Sequence, residues 1–447
     1  MEEWSSRLGF ILAAVGSAVG IGNIWRFSTV VGQNGGGAYL IPYLTAVFLI
    51  GLPLMILELQ AGQRTRSTVI AAFSKAGGLH GRRAGDGTGG AGTARSPARF
   101  AGWIICFVMT GIFSYYLVIT GWTFGYLAFS VTGALEPFSA FTGSYLPILF
   151  FIISGLLCGI IISSGVRKGI ERTTTLLVPL IFLLLAAMIF VSVRLPGADA
   201  GLAFLFTPDF SVLSDPLIWG AALGQAFFSL SVGYGTLLTY GAYLGSAEKI
   251  PASAAIVTIA DIVVSLLAGI VIFSIVFAFG LEPAAGPELV FTTLPYAFEM
   301  MPLGAIAAVI FFAIVFFAAI SSGISFIEVP TAALAETFGQ SRKKMAALVT
   351  GIAILAGLPA AASYTPLSLS IQGIPVLDAM DEVFGTIGLS ITSLLIAVTF
   401  SWFFDPKAFW GDLSGRHPLI RALPFLCKYV IPVALLITTT FRIVALF

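Results

Sequence analysis

Stretches of about twenty apolar residues or more recur along the whole chain, and that is the length a helix needs to cross a bilayer. Eleven are read here, at about 8–34, 38–64, 99–130, 145–164, 169–194, 216–244, 250–280, 304–338, 343–364, 376–404 and 419–446. Hydrocarbon offers the backbone no water to bond, so each stretch has to satisfy its own peptide groups as a helix. The expected fold is an all-α membrane protein of eleven transmembrane helices, with residues 1–447 as a single transmembrane domain. Composition agrees, with 58% of residues hydrophobic and 10% charged. The first stretch does not read as a cleavable signal, because polar Asn23, Arg26 and Asn34 interrupt it and no small-residue cleavage site follows.

The basic residues set an orientation. One series of loops carries Arg64, Arg66, Lys75, Arg82, Arg83, Arg95 and Arg99, then Arg167, Lys168 and Arg172, then Lys249, then Arg342, Lys343 and Lys344, then Lys407 and Arg416. The alternate loops carry Glu136, Asp199, Asp209, Asp215, Glu282, Glu288 and Glu299, with Arg194 at their edge. The positive-inside rule puts the first series in the cytoplasm. The chain is then a multi-pass protein of the cell's inner (plasma) membrane. Its N-terminus is cytoplasmic and, after eleven spans, its C-terminus lies outside.

Within this apolar pattern Val-Gly-x-Gly occurs twice, as Val19-Gly20-Ile21-Gly22 and Val232-Gly233-Tyr234-Gly235. Glycine in mid-helix costs about 1 kcal/mol against alanine, and two in three residues let a helix break. The freed N–H and C=O groups are tolerable at membrane depth only where they line a cavity or meet a ligand. Paired interruptions in two halves of a membrane protein point to a transporter's binding site. Spans one to five (8–194) and six to ten (216–404) then read as two five-helix repeats, each opening on its broken helix, helix 1 or helix 6. Five is odd, so the second repeat runs inverted. The eleventh helix, 419–446, stands outside both repeats. If the first helix unwinds near Val19–Ile21, the carbonyls of Gly16, Ala18 and Val19 become hard ligands suited to a small cation. The N–H groups of Ile21 and Gly22 open the second half-helix, whose positive dipole end suits a carboxylate.

Other chemistry is sparse. Cys106, Cys158 and Cys427 lie in apolar segments without paired spacing, so neither a disulfide framework nor a cysteine metal site is expected. His80 and His417 both fall in loops, which argues against a histidine proton relay or zinc site. The stretch from Gly77 to Pro97 is rich in glycine and charge, but it follows no strand and lacks Gly-Lys-Ser. It reads as a flexible linker rather than a phosphate loop. HExxH and GxSxG are absent, so an enzyme is not expected. The partners are the lipid bilayer and a small molecule, with no nucleic acid. A channel would need a continuous polar pore, and no ring of charges is found. A sensor that binds without transporting would carry the same binding residues.

At these residues the chain resembles the neurotransmitter:sodium symporter family, on the side of its bacterial amino-acid transporters. The matches are Arg7-Leu8-Gly9, the run Gly20 to Phe27, Asn34-Gly35-Gly36-Gly37-Ala38, Ile41-Pro42-Tyr43, Gly51-Leu52-Pro53 on to Glu58, Lys168-Gly169-Ile170-Glu171 and the run Gly224 to Ser231. The resemblance covers nearly the whole chain, and it implies two sodium ions. One would take the carbonyls of Gly16, Val19 and Ala318 and the hydroxyls of Ser321 and Ser322. The other would take the Ala18 carbonyl, Asn23, Ser229 and Asp261, completed by a substrate carboxylate. No chloride is expected. Many animal relatives carry asparagine where this chain has Asp261, and the aspartate would supply the negative charge itself; Ser265 matches the family's chloride-site serine.

For the substrate, the resemblance implies that the Tyr116 hydroxyl holds a carboxylate near Ile21 and Gly22. The amino group would meet the carbonyls of Ala18, Phe228 and Ser229 and the Ser231 hydroxyl. Ile112, Phe228, Tyr234, Ser322 and Phe326 would surround the side chain. Amine-specific relatives carry an aspartate at the position of Gly20, so a substrate bearing its own carboxylate is implied. Arg26 and Asp381, helped by Gln225 and Phe228, match the outer gate; Trp4, Tyr243 and Glu336 match the inner one. The family's gating arginine would precede Trp4, where this sequence reads Met1-Glu2-Glu3, which leaves Arg7 or a weaker gate. The Gly169-x9-Pro179 spacing would let the fifth span unwind toward the inner sodium site, and Glu58 would hold the broken sixth span. Glu328 receives no role. The implied function is sodium-coupled symport of neutral, hydrophobic or aromatic L-amino acids by alternating access. The preferred amino acid, the ion stoichiometry and the oligomeric state stay open.

Overall fold

The computed structural model describes residues 2–79, 98–283, 286–411 and 418–445. The linker expected between Gly77 and Pro97 falls mostly outside these residues, as do Arg416 and His417.

The first apolar stretch is two helices, α1 (Arg7–Ala18) and α2 (Gly22–Gln33), bent by 54° across Val19–Ile21. Next come α3 (Gly36–Thr65), α4 (Ala98–Thr132), α5 (Leu146–Ser163) and α6 (Val166–Ser192). The second interrupted stretch is α7 (Pro216–Ser229) and α8 (Thr236–Ala242), parted by residues 230–235. The remaining long helices are α9 (Ile250–Ala278), α10 (Gly304–Phe338), α11 (Arg342–Ala361), α12 (Val376–Trp402) and α13 (Ile420–Thr440). Among the described residues nine unbroken helices are long and apolar enough to cross a membrane, and the bent α1–α2 pair makes ten. The pair α7–α8 fills the place of the sixth expected span and would complete eleven if it crosses.

Among the described residues the all-helical expectation is departed from once. Ser370–Ile371 and Ile374–Pro375 pair antiparallel between α11 and α12. Gln372 and Gly373 make the turn with φ of 53° and 84°, the left-handed pair that a two-residue hairpin requires.

Both glycine pairs break their helices, in different ways. After α1, Val19 turns extended at φ −74° and ψ 93°. The Gly20 N–H donates to Asn23 Oδ1 at 2.9 Å. After α7, Ser231, Gly233 and Gly235 all lie in the left-handed region, at φ 51°, 85° and 72°. Gly233 also has no room for a side chain, since a Cβ there would sit 1.7 Å from Ser393 Oγ. Its freed N–H donates to Glu58 Oε1 at 2.5 Å, as the resemblance implied.

The core wraps the breaks. α1 packs against α6, α9 and α10, while α8 packs on α3. The α8–α3 contact is backbone to backbone: a Cβ on Gly62 would lie 2.0 Å from the Leu238 carbonyl oxygen, and one on Gly241 2.4 Å from that of Leu59. Gly62→Ala is therefore expected to destabilise the protein by about 1–3 kcal/mol through overpacking. A clear drop in thermal midpoint in detergent, read beside that of Gly351→Ala, whose Cβ would have no heavy atom within 4 Å, checks this.

Candidate functional site

The two breaks are tied together by hydroxyls. The Ser17 carbonyl, at the end of α1, accepts Ser231 Oγ at 2.7 Å and Ser322 Oγ at 3.2 Å. Ser17 Oγ donates to Ser325 Oγ at 2.9 Å, and Ser325 Oγ donates in turn to the Ser322 carbonyl at 2.7 Å. Gln225 Nε2 donates to the Gly22 carbonyl at 3.1 Å. Three segments, the α1–α2 break, the 230–235 break and α10, thus meet in one buried polar centre. Ser17 and Ser325 were given no role by the sequence; the signal for Ser17 was its place beside the first glycine pair.

On one side of that centre lies an acidic oxygen cluster, fully buried. Asn23 Nδ2 sits 2.6 Å from Asp261 Oδ1, 3.0 Å from Ser229 Oγ, 2.9 Å from Ser265 Oγ and 3.3 Å from the Asp261 carbonyl. Ser229 Oγ donates to Asp261 Oδ2 at 2.7 Å. The amide places a donor among four oxygens, the surroundings a cation also seeks. Its own Oδ1 is turned to Gly20 N, so the expected ligand role of Asn23 requires the amide to rotate. The Tyr43 hydroxyl approaches Ser229 Oγ and Asp261 Oδ2, both at 3.5 Å. In sequence Tyr43 stands only within a matching run, because an apolar helix that also holds Tyr39 carries no sign of what either hydroxyl meets.

A second, neutral cluster lies toward the Trp4 end. Ser321 Oγ is 3.0 Å from the Ala318 carbonyl and 3.5 Å from that of Val19. A Cβ on Gly16 would meet Thr174 Cγ2 and Val178 Cγ2 at 3.1 Å and Ser321 Cβ at 3.4 Å. Gly16, Val19, Ala318 and Ser321 are therefore together, with α6 as their wall. Ser322, expected in the same set, instead donates to Ser17.

Next to Ser322 the aromatic side chains pack together. Tyr116 meets Phe326 edge-on at 5.1 Å between ring centroids, and Tyr234 stacks on Phe326 at 5.1 Å. Ile112, Tyr116, Tyr234 and Phe326 are all buried. The hydroxyls of Tyr116 and Tyr234 and Gln225 Oε1 are buried with no hydrogen-bond partner. The Tyr116 hydroxyl lies beside Ser322 and the Ile21 N–H. A Cβ on Gly20 would come within 2.6 Å of Ser322 Oγ and 3.5 Å of that hydroxyl.

The same chain matches the model of the sodium:neurotransmitter symporter family over residues 1–146 and 147–446. The chain belongs to this family. It is 32% identical to a sodium-dependent transporter of Bacillus subtilis (strain 168), YhdH, over 97% of this chain and 96% of the relative. It is 27% identical to the sodium-dependent serotonin transporter of Drosophila melanogaster, covering 92% of this chain and 71% of that one. Among solved structures it is similar to MhsT in complex with L-phenylalanine, with a TM-score of 0.86 and 37% identity over 98% of this chain and 99% of that one. It is thus a sodium-dependent transporter of the membrane, not an enzyme.

The residues expected to gate the two ends are arranged differently from one another. The Arg26 guanidinium lies over the Phe228 ring at 4.6 Å. Among the described residues no ion pair joins Arg26 to Asp381, so the expected direct pair is replaced by a cation–π contact. At the other end Trp4 is buried against Tyr240 and Tyr243 and donates from Nε1 to the Tyr240 carbonyl at 3.1 Å. Glu336 accepts the Thr68 N–H at 2.8 Å and its hydroxyl at 2.5 Å. Arg7 does not reach it; Arg7 pairs with Glu248 at 3.0 Å. Glu328, left without a role by the sequence, accepts from the Tyr243 hydroxyl at 2.6 Å and from both terminal guanidinium nitrogens of Arg342.

Gly20→Ala should crowd Ser322 and the Tyr116 hydroxyl. Substrate affinity is expected to fall by about tenfold or more, since 1.4 kcal/mol is a factor of ten. Calorimetric titration with an amino acid that binds the unaltered protein checks this, with a thermal melt to show that the fold is kept.

Proposed function

We propose that this symporter couples inward sodium movement to uptake of neutral L-amino acids, hydrophobic or aromatic, and that it does so without chloride. The observation that carries the reading is the unpartnered Tyr116 hydroxyl beside Ser322 and the Ile21 N–H, next to the Asn23–Asp261 cluster. That arrangement suits a carboxylate at the start of α2, where N–H groups and the helix dipole favour negative charge. The substrate amino group would meet the carbonyls of Ala18, Phe228 and Ser229 and the Ser231 hydroxyl. The walls of Ile112, Phe228, Tyr234 and Phe326 are apolar or aromatic. The similar MhsT structure holds L-phenylalanine, which supports the same class here.

Two sodium ions fit the two oxygen clusters. One would sit between Asn23, once its amide turns, and Ala18, Ser229, Asp261 and the substrate carboxylate. A ligand shared by ion and substrate makes each improve the other's affinity by the same factor. The other would take Gly16, Val19, Ala318, Ser321 and Ser322, with the Ser322 hydroxyl turned away from Ser17. The basic loops support an N-terminus in the cytoplasm and Trp4 at the inner gate. The two helix breaks support the paired repeats 8–194 and 216–404, which would rock about the fixed site. A charge moved through 100 mV contributes about 2.3 kcal/mol, enough to concentrate an amino acid.

Proteoliposome uptake of radiolabelled phenylalanine, leucine and alanine tests this. Accumulation is expected with an inward sodium gradient in chloride-free buffer and not with choline; equal accumulation in both would refute symport. Asp261→Asn is expected to abolish uptake in chloride-free buffer or make it depend on added chloride. Full chloride-free activity of that variant would count against the charge role. Tyr116→Phe should raise the substrate KM by roughly ten- to a hundredfold, the range of a hydrogen bond to a charged group.

A further inference from the structure

Three carboxylates set deep in the spans are answered within this chain: Glu58 by the Gly233 N–H, Asp261 by Asn23 and Ser229, and Glu328 by Arg342. Lys428, in α13, is not. Among the described residues no carboxylate lies within ion-pair distance of its ammonium, and no oxygen accepts from it. What it meets are two ring faces, Trp402 at 4.8 Å and Tyr429 at 5.7 Å to the ring centroids. Such contacts offset part of the charge, but they leave the N–H donors of the ammonium open.

A proline builds this bracket. Pro432 has no N–H, so the Lys428 carbonyl one turn back loses its helical donor. The helix widens here, with the Ile431 N–H reaching back to the Leu426 carbonyl. The indole N–H of Trp402, the last residue of α12, donates to the Lys428 carbonyl at 3.0 Å instead. That bond fixes the indole beside the lysine stem. Side chains on a helix lean toward its N-terminus, so Lys428 leans toward Arg421, about 10 Å earlier along the same helix.

This end of α13 is the Trp4 end. Gln60, near the close of α3, donates to the Phe409 carbonyl between α12 and α13 at 2.9 Å, and Arg66, just past α3, pairs with Glu3. The bracket opens to lipid. Of the nine unbroken spans α13 is the least covered by the chain, with 28% of its apolar window buried. Trp402, Phe425, Tyr429 and Val433 are all exposed around the lysine.

We propose that Lys428 and Arg421 form a site for one anionic phospholipid of the leaflet at the Trp4 end. The lipid phosphate accepts from the ammonium and the guanidinium, Trp402 and Tyr429 flank it, and the acyl chains run along Phe425 and Val433. A cation within a span needs a counter-charge, and the headgroup phosphate is the anion that a bilayer supplies at its surface. Paired basic residues beside a span favour anionic headgroups. The second cation excludes a zwitterionic lipid, whose own ammonium would be pressed against Arg421. None of this rests on sodium symport.

Scintillation-proximity binding of tritiated phosphatidylglycerol to the purified full chain in detergent tests the site, with neither sodium nor amino acid present. Unlabelled phosphatidylglycerol is expected to compete about fivefold better than phosphatidylcholine, and millimolar inorganic phosphate not at all. Lys428→Met keeps the apolar stem and removes the charge; binding should weaken roughly tenfold, the loss of a charge-assisted hydrogen bond. Lys428→Arg should restore most of it. Arg421→Ala should weaken binding about fivefold, the contribution of one basic residue at an anionic surface. It alters an exposed side chain, so the test stands even if Lys428→Met does not fold. Lys344→Ala, the loss of an exposed cation at the same end, should change nothing. The site is overturned by equal competition from phosphatidylcholine, by displacement with inorganic phosphate, by undiminished binding in Lys428→Met or Arg421→Ala, or by an equal loss in Lys344→Ala.

Discussion

A peptide group freed at membrane depth has no water to turn to, and everything at the centre of this protein follows from meeting that demand. The helix breaks at Val19–Ile21 and 230–235 release N–H and C=O groups that would each cost several kcal/mol if left alone in hydrocarbon. Side chains from distant segments take them up: Glu58 the N–H of Gly233, Asn23 that of Gly20, and Ser231 and Ser322 the carbonyl of Ser17. These repairs use neutral oxygens and carboxylates, and the groups they leave over are of the same kind. A polar centre built to tolerate a broken backbone is already close to one that can hold a small cation and a zwitterion.

The two ends of the molecule are closed by unlike means. At the Arg26 end a guanidinium rests on the Phe228 ring, a contact worth about 0.5–2 kcal/mol and free of directional bonds. At the Trp4 end, Tyr243 and Arg342 donate to the fully buried Glu328 carboxylate, and Trp4 donates beside them to the Tyr240 carbonyl. Removing one partner from such a buried pair costs about 3–5 kcal/mol, because the other charge is left uncompensated. The structure is therefore held more firmly at the Trp4 end, where several bonds would have to yield together.

Much of this was legible in the residues. Hydrophobic runs marked the helices, since span length is set by bilayer thickness alone. The glycine pairs marked both breaks; at the second, few other residues accept the left-handed backbone found at Gly233 and Gly235. Asp261 stood out because a carboxylate deep in an apolar run needs a reason. Other parts were not legible. Nothing local shows that Tyr43 faces Asp261, that Glu328 is answered by Arg342, or that Arg26 turns to Phe228 rather than Asp381. Ser322 was expected among the sodium ligands and donates to Ser17 instead, a choice between two nearby carbonyls that only packing makes.

The sequence by itself determined that the chain lies in a membrane, where its helices run and where two of them fail. Those properties follow from residue-by-residue transfer costs and backbone freedom, which need no neighbours. Tertiary structure alone decided which freed group meets which side chain, how the Asn23 amide is turned and what closes each end. Those contacts join residues as far apart as Asn23 and Asp261 or Glu2 and Val166. Their energies exist only once the helices have packed and water is gone.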